Sequence, residues 1–135
     1  MTKLEYVDQF LNETHTFFLS TTDGDQPKTR PFNVHLIHDG KLCFFTGDKK
    51  AVYQQLMKNP KVQIIALNNK TEWLRIEGTA SLCEDQTVAE NALKNSPFLR
   101  KNYAELGMNL RMFQIDSATV EKQTWHLLET FDLYE

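Results

Sequence analysis

Hydrophobic and polar residues alternate most clearly from Glu72 to Leu82, a pattern that predicts a β-strand. Gly78 lies within this strand and predicts a bulge or a bend at that point. Other alternating or continuously apolar runs predict six further strands, at residues 14–22, 28–37, 41–46, 62–67, 111–115 and 119–128. Turn residues separate these runs at short intervals, and Asp39-Gly40 is a strong hairpin signal.

Helical periodicity covers four shorter segments. Leu4, Val7 and Leu11 recur at i, i+3 and i+7, which predicts an N-terminal helix of about ten residues. Three more helices are predicted at about residues 49–59, 85–95 and 98–106. The predicted fold is therefore mainly β: a single domain over residues 1–135, in which six to seven antiparallel strands form a small β-barrel with peripheral helices.

The segment from Lys28 to Pro60 combines a strand, a hairpin turn, a second strand and a helix that ends before Asn59-Pro60. Pro31 lies inside the first of these strands and cannot donate a ladder hydrogen bond. It predicts an edge strand, a bulge, or a place where the backbone faces something other than a neighbouring strand.

The first turn of the helix after this hairpin carries Lys49-Lys50, with Asp48 as the predicted N-cap. Two lysines are electrostatically unfavourable at the positive end of a helix, and an anionic ligand such as a phosphate would offset them. Thr46 and Arg30 are placed to add a hydroxyl and a guanidinium. On the spacing alone, two solvated surface lysines are the more common explanation.

Composition limits the function classes. The chain has 135 residues, of which 41% are hydrophobic, and its net charge is −3, which argues against a nucleic-acid binder that relies on bulk phosphate attraction. No apolar run is long enough to span a membrane, and the N-terminus lacks the pattern of a signal peptide, so we expect a cytoplasmic protein. Cys43 and Cys83 are expected to be buried thiols. The four histidines show no metal-ligand spacing, so no metal site is predicted.

Three stretches together resemble a known family. They read FFLSTTDGDQPKTRPF, DGKLCFFTGDKKAVYQQLMKNPKV and EWLRIEGTASL, and they span about Thr14 to Leu82. In order and spacing they are similar to the pyridoxamine 5′-phosphate oxidase-like flavoproteins, which have the FMN-binding split β-barrel fold. The resemblance is closest to short bacterial members that include the nitroimidazole-resistance-type proteins. It favours the phosphate explanation of the lysine pair over the solvated one.

The resemblance implies FMN as the cofactor and a homodimer with FMN at its two-fold interface. It assigns cofactor contacts to nine residues: Arg30, Pro31, Phe32, Asn33, Phe45, Thr46, Lys49, Lys50 and Trp73. In this assignment Arg30 and the lysine pair bind the phosphate tail, and residues 31–33 run beneath the isoalloxazine ring. Trp73 approaches the flavin from the second subunit, and Trp125 is a further candidate.

The implied activity is that of an FMN-dependent oxidoreductase, which passes electrons or hydride from a nicotinamide-type donor to a small acceptor. Pyridoxamine phosphate is not the expected substrate, because the chain ends HLLETFDLYE without the family's Arg-Leu-containing segment. No side chain is assigned as a catalyst. The alternatives are a non-catalytic protein that stores or senses FMN or haem, with His35 as the candidate iron ligand, a deazaflavin-binding barrel, and a structural dimer with an empty cleft.

Overall fold

The computed structural model describes all residues from Met1 to Glu135. It contains four helices: α1 (Lys3–Thr14), α2 (Ala51–Lys58), α3 (Thr87–Lys94) and α4 (Pro97–Leu106). It contains eight strands: β1 (Phe17–Asp23), β2 (Gln26–Phe32), β3 (His35–His38), β4 (Lys41–Gly47), β5 (Lys61–Leu67), β6 (Trp73–Leu82), β7 (Leu110–Gln123) and β8 (Leu128–Asp132). None of the helices is both long and apolar enough to cross a membrane.

All eight strands belong to one antiparallel sheet, in the order β2-β1-β5-β6-β7-β4-β3, with β8 paired to β7. The predicted mainly β fold is confirmed, with eight strands instead of six or seven. The end strands β2 and β3 are consecutive in the chain, yet they do not pair with each other. The sheet is therefore not closed, which is the defining feature of a split barrel.

Aromatic side chains hold the two ends of the sheet together across this split. Phe32 of β2 lies edge-on to Phe44 of β4, with ring centroids 5.7 Å apart, and Phe17 of β1 lies edge-on to His35 of β3 at 6.4 Å. Phe44 in turn stacks on Phe113 of β7. Because strands at opposite ends of the sheet share these contacts, the sheet must wrap around one apolar core.

Two apolar clusters stabilise the fold. The larger fills the inside of the curved sheet, and α1 and α2 contribute to it through Val7, Leu11, Val52 and Leu56. The smaller lies where α3 and α4 cover the other face of β4 and β7, and it includes both cysteines and Tyr103. The predicted burial of Cys43 and Cys83 is confirmed. The second cluster fixes α3 and α4 against the sheet next to the split.

Two predicted strand boundaries were wrong. The single strand expected over residues 28–37 is two strands, β2 and β3, which pair with β1 and β4 respectively. Alternation continues through Asn33 and Val34, so the pattern conceals the change of partner. Two strands were expected over residues 111–115 and 119–128, but most of this segment is the one long strand β7. β6 pairs with β7 from Phe113 to Gln123, and this pairing keeps β7 continuous.

The special strand residues behave as their chemistry predicts. Pro31 lies on β2, which is an edge strand, the position at which a sheet tolerates proline. The predicted irregularity near Gly78 is confirmed as a register shift between Thr79 and Ala80. A methyl group on Gly78 would overlap the carbonyl oxygen of Ser117 on β7, so the close approach of the two strands requires glycine here.

Candidate functional site

A cleft of about 420 Å³, lined mainly by apolar residues, lies beside the split in the sheet. Eight of its thirteen lining residues are hydrophobic. Seven of the nine residues predicted to contact a cofactor line it: Arg30, Pro31, Phe32, Asn33, Phe45, Thr46 and Lys50. The remaining lining residues are Val34, Val52, Ala92, Leu99, Tyr103 and Leu110. A cleft of this size and composition is typical of a small-molecule site.

One wall of the cleft is the link between β2 and β3. Pairing with β1 ends at Phe32, and pairing with β4 begins at His35. Asn33 and Val34 therefore belong to neither ladder. Val34 is 49% exposed although it borders an apolar cleft. The backbone of this link has no neighbouring strand, and a ligand in the cleft would take that place.

Arg30 is held at the base of the cleft by three hydrogen bonds within the chain. Its Nη1 donates to the carbonyl oxygen of Leu19 at 3.2 Å and to Oγ1 of Thr21 at 2.8 Å. Its Nη2 donates to Oε1 of Gln55 at 2.9 Å. A guanidinium has five N–H donors, so Nε–H and one Nη2–H remain free. These two donors lie on adjacent nitrogens, an arrangement that suits two oxygens of one anion.

No carboxylate neutralises this guanidinium. The three ion pairs of the protein are His35–Asp8, Arg75–Glu121 and Arg111–Asp48, and none involves Arg30. Burial lowers the pKa of Arg30 from its usual value, yet an arginine side chain stays protonated in proteins. The cleft therefore contains a partly buried positive charge whose three chain partners are all neutral, and such a charge favours an anionic ligand.

The two neighbouring lysines lie in different places. Lys50 lines the cleft, whereas Lys49 donates from Nζ to the carbonyl oxygen of Leu106 at 3.2 Å, at the end of α4. The prediction that both lie in the first turn of a helix was wrong, because α2 begins at Ala51 and Lys50 is its N-cap. No side chain caps this helix.

Asp48 is not the N-cap, because its carboxylate is engaged elsewhere. It accepts hydrogen bonds from the backbone and the side chain of Asn109, at 3.0 and 3.2 Å, and it lies 3.9 Å from Arg111. Burial opposes its ionisation, but these hydrogen bonds and positive charges outweigh burial and lower the pKa of Asp48. The carboxylate therefore ties β4 to the start of β7 instead of balancing the charge of Lys50.

The part of the lining that comes from α3 and α4 was missed by the sequence analysis. It consists of Ala92 from α3 with Leu99 and Tyr103 from α4. Tyr103 is 7% exposed, and burial together with the negative charge of Asp48 raises its pKa. Its hydroxyl therefore stays protonated as a donor. The helical periodicity of this region predicted the elements but carried no signal that they would reach the cleft.

Three other predicted residues lie outside the cleft. Trp73 begins β6, where its ring lies 4.7 Å from the guanidinium of Arg75. Trp125 is 78% exposed in the connection between β7 and β8. His35 bonds through Nε2 to Asp8 of α1 at 2.8 Å, so it is not placed to bind an iron in the cleft.

Several solved structures are similar to this chain over most of its length. A NimC/NimA family protein from Clostridium acetobutylicum is 30% identical, with a TM-score of 0.83 and coverage of 98% of this chain and 95% of that one. A pyridoxamine 5′-phosphate oxidase-related, FMN-binding protein from Nostoc punctiforme is 13% identical, with a TM-score of 0.63 and coverage of 95% and 94%. A haem-binding protein from Mycobacterium smegmatis is 14% identical, with a TM-score of 0.72, and this chain spans 58% of it. The last two show a shared fold.

Among curated proteins, no sequence matches this chain. The family comparison is more informative, because residues 4–122 match the model of the pyridoxamine 5′-phosphate oxidase family. This match covers the whole cleft and most of the sheet. The chain therefore belongs to the pyridoxamine 5′-phosphate oxidase family.

Proposed function

We propose that the protein is a cytoplasmic FMN-binding oxidoreductase that passes electrons or hydride from a nicotinamide-type donor to a small acceptor. The main support for this proposal is the position of Arg30, which lines an apolar cleft. Its guanidinium has no acidic partner and keeps two adjacent N–H donors free. Lys50 adds a second positive charge at the same cleft. Together they provide what a phosphate tail requires.

The rest of the cleft suits the flavin ring. Most of its lining is apolar, and its volume falls within the range of about 300–1,000 Å³ that is usual for small-molecule sites. Asn33 would supply a side-chain amide and backbone groups that no neighbouring strand pairs, and Phe32 and Phe45 line the same cleft. The flavin's polar edge would lie along the β2–β3 link, and its apolar face would lie against the rings and the aliphatic side chains of α3 and α4.

When bound, FMN supplies the electron or hydride transfer, and the residues of this chain bind and orient it. Arg30 and Lys50 would hold the phosphate, with Thr46 as a further donor. Residues 31–33 would contact the ring. The role of Lys49 in phosphate binding stays a prediction, and its bond to Leu106 makes it the weaker of the two lysines for that role.

A homodimer is part of the same proposal. Val34 lines the cleft and is half-exposed. Trp125 and Leu127 are exposed in the β7–β8 connection, and Leu128 is exposed at the start of β8. Large exposed apolar side chains close together favour a protein–protein contact. In the proposed dimer Trp73 or Trp125 of one copy approaches the flavin of the other. Sedimentation equilibrium of the purified protein tests this arrangement, and a monomer at micromolar concentration would contradict it.

The spectrum of the purified protein, followed by titration of the apo-protein with FMN, tests the cofactor. We expect a flavin spectrum and saturable binding of one FMN per chain. Bleaching of the yellow protein by NADH or NADPH without air would indicate an enzyme, and a flavin that resists both would indicate an FMN store or sensor. A Soret band, or a colourless protein that ignores FMN, would contradict the proposal.

A further inference from the structure

Gln55 occupies an unusual position on the buried face of α2. Its neighbours on that face, Val52 and Leu56, are apolar, and Gln55 itself is only 9% exposed. A buried polar side chain is costly unless it is hydrogen-bonded. The side-chain oxygen Oε1 meets this requirement twice, because it accepts from Thr21 Oγ1 at 2.6 Å and from Arg30 Nη2 at 2.9 Å.

The orientation of this amide follows from its partners. Arginine only donates hydrogen bonds, so the amide oxygen and not the nitrogen must face Arg30. The Thr21 hydroxyl accepts a hydrogen bond from Arg30 and donates one to Gln55. The side chains of Arg30, Thr21 and Gln55 therefore form one closed hydrogen-bond network. The amide nitrogen of Gln55 makes no hydrogen bond within the chain, so a glutamate would preserve every bond that the glutamine makes.

A carboxylate would nevertheless change the electrostatics of the cleft. A guanidinium removed from water is usually paired with Asp or Glu, because burying an unpaired charge is costly, and Arg30 is partly buried. At this position the chain has a neutral acceptor of the same shape. Arg30 is therefore fixed in place while its charge stays uncompensated, and its free Nε–Nη2 edge remains available to an external anion.

We propose that Gln55 is a positioning residue that makes the cleft selective for phosphate-bearing ligands, by anchoring Arg30 without neutralising it. This inference rests on the proposed flavin function and adds a specificity determinant to it. It implies that FMN is bound in preference to riboflavin, which has the same ring without the phosphate. It also implies that the preference depends on the charge at position 55.

The test compares Gln55→Glu with the wild type. We expect FMN affinity to fall by roughly ten- to hundredfold, the size of a lost hydrogen bond to a charged group. Riboflavin affinity should stay within about twofold, since its ring does not contact the guanidinium. The melting temperature should stay equal or rise, because the carboxylate gains an ion pair with Arg30. A loss of FMN affinity without a loss of stability is a signature that a merely structural role would not give.

Two further variants separate charge from packing. Gln9→Glu makes the same chemical change on the exposed face of α1, where no side-chain hydrogen bond is lost, and it should leave both flavin affinities unchanged. Gln55→Met removes the acceptor without adding charge, and it should weaken FMN by roughly two- to tenfold, less than Gln55→Glu does. If Gln55→Met weakens FMN as much as Gln55→Glu, the charge argument is wrong. Should Gln55→Glu fail to fold, Gln55→Met still tests the anchoring of Arg30: a loss of FMN affinity at an unchanged melting temperature supports it, and an unchanged affinity would overturn it.

The inference and the proposed function fail in different ways. If the wild type prefers FMN and Gln55→Glu keeps that preference, the inference is overturned while the flavin function stands. If the wild type binds neither flavin, the flavin function is overturned, and inorganic phosphate then serves as the probe. A rise in melting temperature with phosphate that Gln55→Glu abolishes supports the inference, and an equal rise or none in the wild type overturns it.

Discussion

Replacing Lys50 with alanine tests the phosphate site with little risk to the fold. The side chain of Lys50 is exposed, makes no hydrogen bond within the chain, and does not cap α2 although the residue is the N-cap. Its loss should therefore leave the melting temperature unchanged. Any effect on FMN binding then reports on the ligand and not on folding.

The size of the effect follows from the position of the ammonium group. A hydrogen bond to a charged group contributes about 1.5–3 kcal/mol, and about 1.4 kcal/mol is tenfold in affinity. Lys50 is solvent-exposed, so water and salt screen its charge and we expect the lower end, roughly a tenfold loss of FMN affinity. The loss should be larger at low ionic strength. Riboflavin affinity should not change.

Lys49→Ala is the matched control. Lys49 precedes Lys50 directly and carries the same charge, but its Nζ bonds to the end of α4 instead of lining the cleft. We expect its removal to weaken FMN binding by less than Lys50→Ala does, because its Nζ is already bonded to the carbonyl oxygen of Leu106. Isothermal titration of the apo-proteins with FMN measures both variants. Equal losses for the two lysines, or no loss for Lys50→Ala, would refute the assignment.

Three further predictions concern the scaffold. Burial raises the pKa of Tyr134 to about 12, so between pH 10 and about 12 the unfolded chain loses this proton first and stability should fall as the pH rises. Urea titrations should show a smaller alkaline loss in Tyr134→Phe, which should also be less stable at pH 7 by about 1–3 kcal/mol because two backbone groups lose the hydroxyl. Gly78→Ala should lower the free energy of unfolding by roughly 1–3 kcal/mol through overlap with Ser117, and a neutral result would contradict the close approach of β6 and β7. Burial raises the pKa of Cys43 to about 12 and also raises that of Cys83, so neither thiol should react with Ellman's reagent at pH 8 until urea is added, and a rapid native reaction would be evidence against their burial.

The sequence predicted correctly those parts of the fold that depend on the local pattern of residues. Alternation predicted β6, and an edge strand was one of the three explanations given for Pro31. The helix before Asn59-Pro60 and the helix predicted over residues 98–106 end where expected. It concealed the break between β2 and β3, because the residues there continue the alternation. Which neighbour a strand pairs with is decided by the whole sheet and leaves no mark on its own residues.

The candidate site was predicted where it is continuous in the chain and missed where it is not. Resemblance to the family predicted residues 30–33, at the end of β2 and in the β2–β3 link, and Phe45 and Thr46 at the end of β4, and these line one cleft. Tyr103 was missed because it belongs to a helix far along the chain that only packing brings to the cleft. Gln55 was missed because a glutamine on a helix is normally solvated, and its burial beside Arg30 is a tertiary property.

A crystal structure of the protein with FMN would show whether the cleft beside the split holds the flavin by its phosphate. We expect the phosphate within hydrogen-bonding distance of the free guanidinium edge of Arg30 and of Lys50, with the ring between the β2–β3 link and Leu99 of α4. A flavin bound elsewhere, or bound in the cleft with its phosphate pointing away from Arg30, would contradict it.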